Sequence, residues 1–184
     1  MKRFAPIVRF SFSLAAAAML GTGCGPADEL SEAELEESQI STELNKLDPQ
    51  WKEVRKALVK YKDVNAALAD GYINTEFCDS RADGAAMGVH FLHPGLSQDL
   101  VSDPFKPEIL LYLPDGEGGY IFIGPEYWQA DAGQGTPSVL GQGFDGPMPG
   151  HTPDMPVHYD LHVWLYKYNP DGLFAQFNPL ARCK

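Results

Sequence analysis

The sequence feature that most constrains the fold of this chain is a pair of apolar runs joined by a short turn, PEILLYLPDGEGGYIFIGPEYW, from Pro107 to Trp128. Ile109 to Leu113 and Tyr120 to Ile123 are strand-like, and Pro114 to Gly119 between them is a turn sequence. The pattern predicts an antiparallel hairpin. A further strand is predicted at Ala86 to His93, so most of the chain after Cys78 is expected to form antiparallel β-sheet or a β-sandwich.

A helix is predicted before these strands. Asp48-Pro49 is a typical helix start, with a capping aspartate and a proline at the first helical position. Apolar residues then recur at helical spacing until Gly71: Trp51, Val54, Leu58, Tyr61 and Leu68. The sequence therefore predicts an α+β fold for residues 48–184 as a single globular domain, with one long amphipathic helix packed on the sheet. The Gly- and Pro-rich residues 133–154 predict a long irregular loop, which at this length is usually functional or mobile.

Residues 1–24 have the pattern of a bacterial export signal. Lys2, Arg3 and Arg9 precede an apolar run that is too short to span a bilayer. The run ends at LGTGC, which is similar to a lipobox and predicts lipidation of Cys24, although leucine stands one place earlier than usual. Cleavage without lipidation is the alternative. Residues 25–47 are acidic and lack aromatic residues, which predicts a solvated linker with transient helix; a helix packed on the domain is the alternative.

The charge of the chain argues against a polyanionic partner. The formal net charge is −11, and it becomes −14 without the three basic residues of the signal. Such a chain is not expected to bind nucleic acid or an anionic lipid surface by electrostatics. We therefore expect membrane contact through a lipid anchor only, in the bacterial cell envelope, or a soluble secreted protein if Cys24 is not lipidated.

Cysteine usage fits export. If Cys24 carries lipid, Cys78 and Cys183 remain, and an even number of cysteines outside the cytoplasm predicts a disulfide. Two free thiols are the alternative.

The stretch PVHYDLHVWLYKYNPDG, from Pro156 to Gly172, contains two of the five histidines. Its composition favours a strand, in which side chains alternate between two faces. The odd-numbered face is apolar. The even-numbered face is polar and aromatic, as in a pocket wall, and carries His158, Asp160, His162, Trp164, Tyr166 and Tyr168.

Other ligand-type residues also stand in strand-like sequence. His90 and His93 are three residues apart, so at most one of them faces a given site, and Glu126 lies among Pro125, Tyr127 and Trp128. A histidine from each of two strands and a glutamate from a third would bind a divalent metal. Individually, each of these residues also fits a hydrogen-bonded scaffold or a surface charge.

The motifs MGVHF, GPEYW and HVWLYKYNPDGLFAQFNP, with the terminal cysteine, resemble a family of uncharacterised exported bacterial proteins over about residues 48–183. The resemblance singles out His90, Glu126 and His162 as metal ligands and implies no activity. Tyr166 stands where tryptophan is usual, and Pro125 before Glu126 is a departure that could redirect this glutamate.

Two functions remain open at this point. One is metal binding with zinc or copper, or with iron in a two-histidine, one-carboxylate set, where the metal could be catalytic and the surrounding residues are His158, Asp160, Trp164 and Tyr127. The other is a non-enzymatic envelope protein that binds a small molecule or partner, with the same histidines and glutamate in a structural hydrogen-bond network. Common hydrolase, zincin and phosphate-loop motifs are absent from the sequence.

Overall fold

The computed structural model of the protein describes residues 30–184. The predicted export signal, the lipidation of Cys24 and the first residues of the predicted linker lie outside the described residues. Within residues 30–184, no helix is both long and apolar enough to cross a membrane.

The described part of the chain forms eight strands: β1 (Ile73–Ser80), β2 (Ala86–Leu92), β3 (Ile109–Pro114), β4 (Tyr120–Ala130), β5 (Ser138–Val139), β6 (Gln142–Gly143), β7 (Asp145–Met148) and β8 (His158–His162). Six of them form one antiparallel sheet in the order β1-β2-β3-β4-β8-β7, and β5 and β6 form a separate small pair. The predicted hairpin corresponds to β3 and β4, and the strand predicted at Ala86 to His93 corresponds to β2. The predicted α+β class with an antiparallel sheet is confirmed.

The helices are shorter than predicted. In place of one helix from Asp48 to Gly71, the chain forms α2 (Gln50–Leu58), a 3-10 turn (Val59–Lys62) and α3 (Val64–Ala69). The break occurs at Asp63, which has an extended backbone and whose side chain accepts a hydrogen bond from the Asn65 amide, so that a new helix starts there. The prediction of a long continuous helix is therefore wrong, because a local cap interrupts the apolar pattern.

Another helix, α1 (Glu32–Leu44), lies in the stretch that was predicted to be a solvated linker. Ser31 and Glu34 form a capping box at its start. Ile40 and Leu44 are buried in the core, and Arg55 of α2 forms an ion pair with Glu37. The few apolar residues of this stretch are thus sufficient to pack one face of the helix on the domain. The structure therefore has the packed helix, which was the alternative to a solvated linker, over these residues.

The helices cover one face of the sheet. Trp51 of α2 packs edge-on against Tyr127 of β4, with the ring centroids 6.1 Å apart. Tyr61 packs in the same way against Phe122, also at 6.1 Å. Buried aromatic side chains in contacts of this kind make up much of the main hydrophobic core. The opposite face of the sheet carries a group of buried polar side chains.

The C-terminal segment returns to the edge of the sheet. A disulfide joins Cys183 to Cys78 of β1, as predicted, and closes a loop with a sequence separation of 105 residues. The strand predicted from the Pro156–Gly172 stretch ends at His162, because the chain then makes a tight bend in which the Leu165 amide donates to the Val163 carbonyl.

Candidate metal centre

Strand pairing places four ligand-type side chains on the face of the sheet away from the helices. Glu126 of β4 is directly opposite His162 of β8, and every second pair from there along the ladder brings in Asp160 and then His158. The side chains of two directly opposed residues in an antiparallel pair point to the same face of the sheet. Along each strand, the side chain of every second residue also points to that face. The alternation predicted for His158, Asp160 and His162 is therefore what positions them.

The first cluster consists of His90, Glu126 and His162, which the structure brings together from β2, β4 and β8. The Nε2 atom of His90 lies 3.1 Å from Oε2 of Glu126, and Nε2 of His162 lies 3.6 Å from the same oxygen. All three side chains are buried. Pro125 does not turn Glu126 away from this face.

The second cluster consists of His151, His158 and Asp160. The Oδ2 atom of Asp160 is 3.5 Å from Nε2 of His158 and 3.8 Å from Nε2 of His151. His151 comes from the segment before β8, and its Nδ1 atom lies 3.3 Å from a carboxylate oxygen of Asp79 on β1. The two clusters adjoin, since Nδ1 of His162 is 3.9 Å from Oδ1 of Asp160.

Backbone carbonyls fix the orientation of two of the histidine rings. Nδ1 of His90 is 3.1 Å from the Phe77 carbonyl oxygen, and Nδ1 of His158 is 3.1 Å from that of Pro156. A carbonyl oxygen only accepts hydrogen bonds, so each Nδ1 must carry the proton. In a neutral ring Nε2 is then an acceptor, and the Nε2 atom of His90 faces a carboxylate oxygen, which is also an acceptor. A proton on one of the two atoms, or a metal ion, is needed between such a pair.

Eight buried polar side-chain atoms of the described residues have no hydrogen-bond partner, and seven of them belong to the two clusters. They are Glu126 Oε2, His151 Nε2, His158 Nε2, both carboxylate oxygens of Asp160 and both ring nitrogens of His162; the eighth is Trp128 Nε1. Buried polar groups in proteins are nearly always hydrogen-bonded or bound to a metal. These unpaired groups lie close enough together that they could hold a metal ion.

The charges in the centre are coupled. Burial alone would lower the pKa of His90, but the Glu126 carboxylate outweighs it and raises this pKa. Burial would raise the pKa of Glu126, but His162 and His90 hold it below its usual range. The Asp160 carboxylate raises the pKa of His151, while burial raises the pKa of Asp145, which lies opposite Asp160 on β7. The centre therefore favours bound positive charge.

Ligand spacing in both clusters fits a small divalent ion. Tetrahedral zinc with bonds of about 2.0–2.1 Å needs ligand atoms about 3.3–3.4 Å apart. The measured separations from a carboxylate oxygen to a histidine nitrogen are 3.1 and 3.6 Å in the first cluster and 3.5 and 3.8 Å in the second. Within each cluster all ligand atoms lie within 4.8 Å of one another. These His, Glu and Asp groups could hold a metal ion.

A pocket of about 320 Å³ gives access to the centre. Its polar lining residues are His90, Glu126 and His151, together with Thr75, Ser97, Thr152 and Asp154. The remaining wall is mainly apolar and includes Phe77, Leu92, Ile109, Trp128, Met155 and Pro156. A molecule that fills this pocket would contact these polar side chains and a mainly apolar wall.

Two residues predicted to surround the site lie elsewhere. Tyr127 is on the opposite face of β4 from Glu126, where it packs on Trp51. Trp164 lies within the bend after His162, and its indole donates to the Ala175 carbonyl within the core. Both displacements follow from strand alternation, which separates adjacent residues and ends where the strand ends.

The structure also shows the positions of His93, which the sequence left open, and of His151 and Asp79, which the sequence did not single out. His93 stands at the end of β2, away from both clusters, and its Nδ1 accepts the Gly95 and Leu96 amides. His151 and Asp79 were not predicted as site residues. His151 lies in the long Gly- and Pro-rich segment, and the only signal for it was that long segments of this kind are often functional.

Comparison with protein-family models, with curated protein sequences and with solved structures gives no match for this chain. The resemblance to a family of exported bacterial proteins therefore stays a prediction, and the functional argument rests on the geometry of the centre.

Proposed function

We propose that the protein binds a divalent transition metal through Nε2 of His90, Nε2 of His162 and the carboxylate of Glu126. The observation that carries this proposal is the pair of acceptors at 3.1 Å, Nε2 of His90 and Oε2 of Glu126, with the His90 ring held by the Phe77 carbonyl. An outer hydrogen bond from Nδ1–H to a carbonyl is the usual way in which proteins aim a neutral histidine at a metal. Zinc and copper suit two imidazoles and one carboxylate, and iron suits the same set.

A structural ion pair between protonated His90 and Glu126 is the competing interpretation. It is supported by the raised pKa of His90. It leaves both nitrogens of His162 without a partner among the described residues, at a site that is 1% exposed. Because an unpaired buried polar group costs about 1–3 kcal/mol, a metal that engages His162 and Glu126 together accounts for more of the site.

The pocket supports a role in binding a small molecule. His90, Glu126 and His151 line it, and the rest of its wall is mostly apolar. We infer that it takes a compact apolar or aromatic molecule with one polar group that reaches the metal. A bound metal would supply a Lewis acid or an activated water there. The apolar wall, with Phe77 and Trp128, would orient the molecule and exclude bulk water.

We also propose that the protein is exported and acts in the bacterial cell envelope, held by lipid on Cys24. The disulfide between Cys78 and Cys183 supports an oxidising compartment. Mass spectrometry of the mature protein from a bacterial host tests the anchor: a diacylated or triacylated N-terminal cysteine is expected, and an unmodified N-terminus at another residue would contradict it.

Zinc titration of three variants tests the metal site. His90→Asn is suited to this purpose, because the Asn amide nitrogen takes the place of Nδ1 and still donates to Phe77, while Nε2 is removed. Glu126→Gln keeps the shape and removes the charge. The matched control is His93→Asn, since Asn can still accept the two amides that His93 holds.

Apparent zinc energies of about 10–16 kcal/mol over about four ligands imply that loss of one ligand weakens binding about 10²–10³-fold. We expect that loss for His90→Asn and Glu126→Gln, measured by competition with a chelator, and unchanged binding for His93→Asn. Wild-type protein that binds less than about a tenth of an equivalent of any transition metal, or equal binding by all variants, would refute the proposal.

A further inference from the structure

We propose that His151, His158 and Asp160 form a second metal site, so that the centre holds two divalent ions, and that the second ion fastens residues 149–157 over the pocket. These residues are called the His151 loop below. The proposal rests on the metal-binding function proposed above and extends it to a separate set of ligands.

The second cluster has the same design as the first. His158 is anchored by Nδ1 to the Pro156 carbonyl, as His90 is to that of Phe77, and both present Nε2 to a carboxylate. Nε2 of His158, Nε2 of His151 and both oxygens of Asp160 are buried without a partner among the described residues. Each cluster thus has a backbone carbonyl that binds Nδ1, an Nε2 atom that faces a carboxylate, and a carboxylate oxygen without a partner. This repetition indicates a second metal position and not an enlargement of the first.

Asp160 lies between the two positions. Its Oδ2 faces His151 and His158, while its Oδ1 faces Nδ1 of His162 at 3.9 Å. The carboxylate can therefore bind the second ion with one oxygen and accept the ring proton of His162 with the other after a small adjustment. That proton position leaves Nε2 of His162 free for the first ion. Each ion thus stabilises the ligand arrangement of the other.

Further carboxylates balance the charge of a second ion. Asp79 of β1 lies 3.3 Å from Nδ1 of His151, and Asp145 of β7 is paired opposite Asp160. Glu126 and Asp160 contribute two buried negative charges. Two divalent cations beside four acidic side chains are close to neutral as a group, which lowers the cost of placing the ions below the surface.

The position of His151 connects metal binding to access. His151 is the part of the His151 loop that reaches Asp160, and His151, Thr152, Asp154, Met155 and Pro156 form one side of the pocket. The side chain of His151 is 18% exposed, against 0% for His158 and Asp160. A metal at the second site therefore joins a surface segment to the buried sheet, and its loss would release that side of the pocket.

Native mass spectrometry after zinc titration counts the ions. We expect about two equivalents in wild type, and about one in His90→Asn, His151→Asn and His158→Asn, each of which removes Nε2 and keeps a donor near Nδ1. His93→Asn should hold two. Hydrogen exchange in residues 149–157 should slow when the second equivalent binds wild type and should not respond to zinc in His151→Asn.

The possible results separate this proposal from the one before it. One ion in wild type that is lost in His90→Asn and kept in His151→Asn and His158→Asn would overturn the second site alone. One ion lost in all three variants would show a single shared site and overturn it too. One ion kept in His90→Asn but lost in the other two would instead overturn the first set and the two-ion centre. No ion in wild type would overturn both proposals. His151→Asn, at the surface, keeps the test valid if the buried variant His158→Asn misfolds.

Discussion

Glu108, which immediately precedes β3, should make the stability of the protein depend strongly on pH. Its side chain is 1% exposed, and its Oε2 accepts a hydrogen bond from the Trp128 amide at 3.0 Å. Burial raises its pKa from 4.5 to about 8, with a smaller contribution from the negative charges of Asp99 and Glu126. The carboxyl group is therefore protonated in the folded protein at neutral pH and ionised in the unfolded chain.

The sign and size of the effect follow from proton linkage. Between pH 4.5 and about 8 the folded state retains a proton that the unfolded state has released, so rising pH favours unfolding. Each pH unit in this interval costs about 1.4 kcal/mol, and the whole interval costs about 3–5 kcal/mol. The stability contributed by neutral Glu108 is complete below the unfolded pKa and is lost as the pH rises through the folded pKa.

Glu108→Gln isolates this contribution. The amide oxygen of glutamine can still accept from Trp128, but the residue has no proton to lose. We expect the variant and the wild type to differ little near pH 4.5 and the variant to be about 3–5 kcal/mol more stable near pH 8. Urea denaturation of both proteins, metal-free in EDTA, at about pH 5, 6.5 and 8 measures this difference. Contributions from other groups are common to both proteins and cancel in the comparison. A difference that stays constant within about 1 kcal/mol over this range would refute the burial argument.

Three further predictions concern the metal centre and the fold. Zinc at about 100 times its Kd should raise the free energy of unfolding by about 2.7 kcal/mol, and EDTA should reverse the gain; no shift in Tm on adding metal would contradict selective binding to the folded state. Zinc affinity should fall as the pH drops, because protons compete with zinc for Nε2 of His90. The raised pKa of His90 makes this fall begin at a higher pH than is usual for histidine. An affinity that stays constant from pH 8 to 5, measured by calorimetry, would argue against histidine ligands. Gly124→Ala should destabilise the protein by more than about 3 kcal/mol in thermal unfolding, because a Cβ would collide with the Val163 carbonyl, and an unchanged Tm would show that β4 and the following segment can separate.

Local patterns in the sequence were sufficient to predict the sheet. The hairpin of β3 and β4 follows from two β-rich runs around a turn, and the common face of His158 to His162 follows from strand alternation. The helix between Asp48 and Gly71 was only partly predictable. Its apolar spacing is correct, but the capping side chain of Asp63 competes with continuation of the helix, and such competition is decided by tertiary contacts.

The centre depends on long-range contacts that spacing alone does not give. The resemblance implied the first cluster, whereas the second needs His151, which irregular backbone brings back to β8. No period in the sequence places a loop residue against a strand. The same limit applies to Trp164, for which alternation was extended past the bend that follows His162. Such residues are found only when the path of the chain is known.

The alternation of Glu126 and Tyr127 on β4 restricts which changes of length this chain can tolerate. One residue faces the proposed metal ligands, and the next packs on Trp51 beneath the helices. Deletion or insertion of one residue within β4 would exchange them, placing a carboxylate among aromatic rings and a phenol among the buried His and Asp side chains of the two clusters. Such events in viable descendants of this protein should therefore be confined to the turn from Asp115 to Gly119 and to the segments outside the sheet, while β4 keeps its number of residues even where its sequence diverges.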